Sequence, residues 1–303
     1  MKRFKNILVV YDLVPGSDDT LQRAVELAVR NDAHLTIVHA VNPLSNERQV
    51  VAERERILDR IVASLVLPGT RRSHLVRPGP PTERILELAR DIRADLIVAP
   101  DVSTGFYSQF LGLDTPTELL RRAECPVWIV RPQQENRYQR IVAAVDAGKP
   151  DAFDCPANRR ILEIGASLAV LERAQLHVVY AWDFVGAERD TMASELPRGK
   201  YEELFELAHL KNLGHVVTLT HHVMGSSLKF TPAPVRGHPC KVITDYVEDQ
   251  NADLLVIDGK LEGAFKSALM ENTATQLLRQ STCSVLFTRP TKLLQHAQLP
   301  EAA

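Results

Sequence analysis

Short apolar runs alternate along the chain with longer segments of helical period. In the first 134 residues the runs are rich in aliphatic and β-branched residues, which predicts strands at 6–11, 35–40, 72–76, 95–99 and 127–131. Apolar positions between them recur every three to four residues, which predicts helices over about 18–31, 46–64, 82–93 and 115–123. Because the strands are apolar on both faces, helices must cover both sides of the sheet. The pattern predicts an α/β fold with an open, doubly wound parallel sheet of five strands in the order 3-2-1-4-5.

The pattern occurs twice. Residues 79–132 align without a gap with residues 237–290, and roughly a third of the paired positions are identical. We therefore expect two copies of one domain, at 1–134 and 135–290, with a polar linker at 132–138 and a C-terminal tail at 291–303. The apolar fifth strand of each copy would be an exposed edge if left alone, so we expect the copies to pack as an intramolecular pseudo-dimer. The sequence leaves open whether two whole chains form a homodimer.

Composition and charge narrow the function. The 303 residues are 45% hydrophobic and 24% charged, which suits globular domains, and the net charge of −2 offers no basic field for nucleic acid. The N-terminal apolar run is too short for a signal peptide and no run is long enough to span a membrane, so a cytoplasmic location is expected. The four cysteines are widely spaced, and the cytoplasm is reducing, so we expect them to be free thiols rather than disulfides.

Several short motifs recur at equivalent places in the two copies. An aspartate ends the first strand of each, Asp12 and Asp146, and a G-x-P triplet at Gly79 and Gly237 precedes the third helix. Ala-Asp-Leu opens the fourth strand, Cys-Pro-Val or Cys-Ser-Val opens the fifth, and Thr115-Pro116-Thr117 precedes the fourth helix of the first copy. This ordered set resembles the universal stress protein family, tandem type. The resemblance implies an adenine-nucleotide α-hydrolase-like fold and a non-catalytic role in the stress response.

Many members of that family bind ATP through G-x2-G-x9-G-[ST] after the fourth strand, where glycine N–H groups and a helix N-terminus hold the phosphates. None of the six equivalent positions here is glycine: they are Pro100, Ser103, Leu113, Asp258, Leu261 and Glu271. Proline removes a donor, and the carboxylates oppose phosphate. We expect no cofactor and weak ATP binding at most. Any that survives should lie in the second copy, around Asp146, Asp258, Gly259, Gly263, Asn272 and Thr273.

Other candidate residues have simpler explanations. Asp12 and Asp146 either contact a ligand or accept hydrogen bonds from nearby loops. Cys125 and Cys283 are expected in the core. His221, His222, His238 and Cys240 flank an apparent insertion at 224–236, for which a solvated loop or lid is favoured over a zinc site because the spacing matches no compact zinc module.

Three functions remain. The first is a non-catalytic module that binds a small ligand or a protein partner. The second is a nucleotide-dependent enzyme of the same α/β class. The sequence contains no G-x-x-x-x-G-K-[ST] loop, which argues against such an enzyme. The third is a binder of an apolar or nucleotide-sugar-like ligand, since Leu113, Leu261, Phe106 and Phe265 replace or flank the lost glycines.

Overall fold

A computed structural model describes residues 4–13, 17–41, 47–66, 69, 71–101, 115–132, 137–147, 152–182, 198–225, 228–258 and 273–288. Within these residues the first copy has nine elements in alternating order: β1 Asn6–Val10, α1 Ser17–Asn31, β2 His34–Val41, α2 Glu47–Ser64, β3 Arg72–Pro78, α3 Pro81–Asp91, β4 Leu96–Pro100, α4 Thr115–Arg122 and β5 Val127–Val130. Each strand and helix predicted for this copy is present, within two residues at each end.

The second copy repeats the alternation with longer connections. Its elements are β6 Arg140–Ala144, α5 Pro156–Glu172, β7 Gln175–Trp182, α6 Arg198–Met224, β8 Thr231–Arg236, α7 Pro239–Asp249, β9 Leu254–Asp258, α8 Thr273–Gln280 and β10 Ser284–Thr288. The largest difference lies before β8, since α6 has 27 residues where α2 has 18. Despite its length α6 is not apolar enough to cross a membrane, and neither is any other helix in the described part.

All ten strands form one sheet in the order β3-β2-β1-β4-β5-β10-β9-β6-β7-β8. Within each copy the strands are parallel and the order is 3-2-1-4-5, as predicted. The two fifth strands pair antiparallel, with Trp128 opposite Leu286 and Ile129 opposite Val285. The predicted packing of the fifth strands against each other is confirmed, because each covers the edge of the other.

The expectation of an inserted loop or lid at 224–236 is wrong. Thr231–Arg236 is the strand β8, which pairs in parallel with β7, and the extra length lies before it, in residues 183–197 and in α6. The sequence Thr-Pro-Ala-Pro-Val-Arg does not look like a strand because proline cannot donate to a ladder. β8 is the outermost strand of the described sheet and pairs only with β7. Proline is tolerated in such an edge strand because the open side has no partner to which an N–H would donate.

The sheet separates two apolar layers, each continuous across both copies. Alternate residues of one strand enter different layers: Ile7 and Val9 face the first, while Leu8 and Val10 face the second. Helices α1, α2, α5 and α6 cover the first layer, and α3, α4, α7 and α8 cover the second. The arrangement directs the carboxyl ends of β1–β4 to one edge of the first copy and those of β6–β9 to an equivalent edge of the second.

Buried charged groups join the two copies near β5. Tyr138, the last residue of the expected linker, is fully buried, with its ring centroid 5.9 Å from that of Trp128. The guanidinium of Arg23 lies 4.0 Å from the Tyr138 centroid and donates to Glu172 at 3.4 Å. The end of this segment therefore belongs to the core.

Arg131, directly after β5, bonds to both copies. Its Nε donates to the Asp101 carboxylate within the first copy. Its Nη2 donates to the carbonyl of Leu278 at 2.7 Å and its Nη1 to that of Cys283 at 3.3 Å, both in the second copy. The Asp101 side chain is 2% exposed, so this guanidinium neutralises a buried charge as well as linking the copies.

Candidate functional site

The carboxyl ends of the strands, where open α/β sheets bind their ligands, are built alike in the two copies. Gly79 donates its N–H to the carbonyl of Val41 at 2.8 Å, and Gly237 donates to that of Trp182 at 2.9 Å. Their φ angles are +121° and +134°, and an added Cβ would come within 2.6 Å of Arg84 or Val242. Both positions therefore require glycine, which explains the G-x-P triplet found in the sequence.

Asp12 follows β1 at the carboxyl end of the sheet in the first copy. Its side chain is half-buried, and none of the described residues donates a hydrogen bond to it or pairs with it. Desolvation raises the pKa of this carboxyl from 3.8 to about 6. A desolvated carboxylate to which no described residue donates can accept a hydrogen bond from a bound molecule.

The residues beside Asp12 are held firmly by their own partners. The Tyr11 hydroxyl donates to Asp18 at 2.6 Å, and the Tyr11 carbonyl accepts from Nδ1 of His39 at 2.8 Å. Burial lowers the pKa of His39, and the cation of Arg54 acts in the same direction. His39 is thus a neutral imidazole whose proton sits on Nδ1, so it fixes the end of β1 rather than serving as a cation.

Asp146 ends the equivalent strand β6 in a different setting. Its N–H donates to Oδ1 of Asn158 at 2.9 Å, while Nδ2 of Asn158 donates to its carbonyl at 2.7 Å. Burial, together with the nearby charge of Asp146, raises the pKa of Tyr180 to about 12. At the carboxyl end of β7, Trp182 packs against Phe205 of α6 with 5.6 Å between ring centroids.

The predicted phosphate-binding positions are described in part. Pro100 is the last residue of β4 and Asp258 the last residue of β9, so both occupy the strand ends that the alignment assigned to them. Thr273 is the first residue of α8. Ser103, Leu113, Leu261 and Glu271 lie outside the described residues, as do Gly259, Gly263, Asn272, Phe106 and Phe265.

The cysteine and histidine candidates are separated. Cys240 and Cys283 are buried, Cys125 is half-buried, and none of the four cysteines forms a disulfide. Burial raises the pKa of Cys283 to about 12, which removes its thiolate at neutral pH. His221 and His222 lie at the end of α6, whereas His238 precedes α7. No cluster of three or more metal-ligating side chains occurs among the described residues.

The sequence pattern predicts Asp12 and Asp146 as site residues but does not predict the residues that surround them. His39 could have been noticed as a histidine between Val38 and Ala40 near the carboxyl end of the buried strand β2. Asn158 gives no such signal, because an asparagine near a helix start is ordinary and its two bonds to Asp146 need the tertiary fold.

The model of the Universal stress protein family matches residues 3–131 and again residues 137–289. The chain belongs to the universal stress protein family. Because the two matches fall on the two copies, it is a tandem member, and this places it among proteins with a general role in the stress response.

Universal stress proteins of similar length and architecture occur in several organisms. The universal stress protein E homolog of Haemophilus influenzae is 24% identical over 96% of this chain and 99% of that protein. Universal stress protein E of Escherichia coli is 22% identical over 96% and 95%. A solved universal stress protein from Archaeoglobus fulgidus superposes with a TM-score of 0.64 at 14% identity, covering 94% of this chain and 96% of that one. The structural likeness shows the shared fold.

Proposed function

We propose that this tandem universal stress protein is a non-catalytic module that binds a small ligand in the crevice at the carboxyl ends of its strands. The observation that carries the proposal is Asp12, a half-buried carboxylate without a donor among the described residues and with a pKa raised to about 6. Such a group destabilises the empty protein and is relieved when a ligand donates a hydrogen bond to it. The ligand should therefore carry a hydroxyl, amide or amine group that reaches Asp12.

The strand ends argue against a triphosphate in either crevice. Pro100 has no N–H to offer at the end of β4, and Asp258 places a carboxylate at the end of β9. The positions that carry glycine in the family's ATP motif bear larger side chains in both copies. We infer that the ATP motif is degenerate and that the module acts through binding alone, without turnover.

Removing Asp12 should abolish retention of the ligand. Native mass spectrometry of the purified protein is expected to show a co-purifying small molecule, released on denaturation. Asp12→Asn should lose it, because a neutral amide is a weaker acceptor than a carboxylate. Asp19→Asn, which changes an exposed aspartate of α1, is the matched control and should keep it. Equal retention by both variants would contradict the role of Asp12.

Mg-ATP should bind weakly or not at all to the unaltered protein in calorimetric titration. Combining Asp258→Gly, Leu261→Gly and Glu271→Gly restores the glycine pattern of the second copy and is expected to raise the affinity at least tenfold, which corresponds to about 1.4 kcal/mol. Micromolar binding by the unaltered protein would refute the degenerate motif. ATP hydrolysis by either form would instead favour an enzyme.

A further inference from the structure

The outward face of α6 is exposed along four turns. Positions separated by three, four or seven residues share one side of a helix, and here those positions are all exposed: Lys200, Glu203, Leu204, Leu207, Leu210, Lys211 and Gly214. We call these seven residues the outer face of α6. Its leucines are 37%, 57% and 59% exposed in chain order, whereas Val216 and Leu219 on the opposite side are fully buried. Clustered exposed leucines of this kind mark an interaction surface.

The outer face is complementary to itself. If a second α6 lies antiparallel with Leu207 opposite Leu207, then Leu204 meets Leu210 on both sides of the axis. In the same register Glu203 lies opposite Lys211, twice. A two-fold axis through Leu207 thus combines an apolar centre with two ion pairs, which is the pattern of a contact between identical surfaces.

The described part of the chain does not use the charged groups of the outer face. Neither Glu203 nor Lys211 bonds to any described residue, although both belong to a helix with many polar neighbours. Gly214 is unfavourable inside a helix, and an added Cβ there would meet nothing within 4 Å. Folding of the single chain does not require a small residue at this place. In the antiparallel register Gly214 lies opposite Lys200, whose aliphatic stem could cross it closely.

We propose that the outer face of α6 binds a second molecule of this chain through an antiparallel α6–α6 contact centred on Leu207. The helix axes should lie about 8–10 Å apart, as in packed helix pairs. A contact of one helix face from each molecule is small, so the association should be reversible and dependent on concentration. The surface is distinct from the crevices, because α6 contacts Trp182 with its opposite side, through Phe205 and His209.

Sedimentation of the full chain over about 1 μM to 1 mM should show a shift from one-chain to two-chain mass, in the range of affinity expected for such a contact. Leu207→Asp should remain at one-chain mass throughout, because it places two carboxylates on the axis. Val170→Asp changes an equally exposed apolar residue on α5 and should dimerise like the unaltered chain. Unchanged circular dichroism and melting in both variants show that folding is intact.

Charge reversal tests the register. Glu203→Lys and Lys211→Glu should each weaken association at least tenfold, because each creates two like-charge pairs across the axis. The double variant should recover most of the loss. Three results would overturn the proposal: a one-chain mass for the unaltered protein at every concentration, a dimer that Leu207→Asp does not disturb, or a double variant no better than the single ones.

Discussion

Arg131→Met is expected to lower the free energy of unfolding by about 3–5 kcal/mol, the usual cost of removing one partner of a buried ion pair. The substitution keeps an unbranched side chain but removes the Arg131 cation from the Asp101 carboxylate, whose side chain is 2% exposed. It also removes the donors to the Leu278 and Cys283 carbonyls, so the loss should loosen the contact between β5 and β10. Urea unfolding measures the first effect, and hydrogen exchange of the β5 and β10 amides measures the second.

Arg121→Met supplies the matched control. Arg121 also pairs with a carboxylate, Glu118, but the two side chains are 66% and 36% exposed, so its loss should change stability by no more than about 0.5 kcal/mol. Adding Asp101→Leu to Arg131→Met should recover part of the stability, because the buried charge is then gone. A loss no larger than that of Arg121→Met would show that the pair is not buried in solution.

Asp12→Asn is expected to stabilise the protein near neutral pH. The pKa of Asp12 in the folded chain, about 6, lies above the ordinary value of 3.8, so the folded state holds this proton more tightly than the unfolded state. The resulting stability is fully present below about pH 3.8 and is lost as the pH rises through about 6. Two pKa units correspond to about 3 kcal/mol, and the partial exposure of the side chain reduces the expected gain to about 2 kcal/mol.

The gain should depend on pH in a defined direction. Urea unfolding at about pH 4.5 and about pH 7.5 should show the advantage of Asp12→Asn over the unaltered chain growing with pH, since asparagine never ionises. Asp19→Asn should show no such growth. A variant that is less stable than the unaltered chain at neutral pH would mean that Asp12 has a structural donor. If Asp12→Asn is more stable and also loses the ligand, then Asp12 lowers the stability of the empty protein and is needed for binding.

Most of the fold could be predicted from the sequence, because its elements are set by local periodicity. The apolar runs of β1–β5 and the helical periods between them predict each described element of the first copy, and the repeat predicts the same order for the second. The strand β8 could not be predicted because a segment with two prolines forms a strand only at the edge of a sheet. Whether a segment lies at an edge depends on the whole sheet and not on the local sequence. The sequence pattern consequently predicts the insertion of the second copy at 224–236, after its true place in the chain.

The sequence by itself determined that the chain holds two copies of one domain, the strand order within each copy, and the aspartate at the end of each first strand. Each of these depends on residues that are close together in the chain. Tertiary structure alone decided that Tyr138 is core, that Arg131 joins the copies and that Asp12 is desolvated with no donor among the described residues. Burial and hydrogen bonding depend on which distant groups meet, and Arg131 bonds to residues about 150 positions away. Identical aspartates can therefore differ in chemistry, because the local sequence fixes where a carboxylate stands but not what surrounds it.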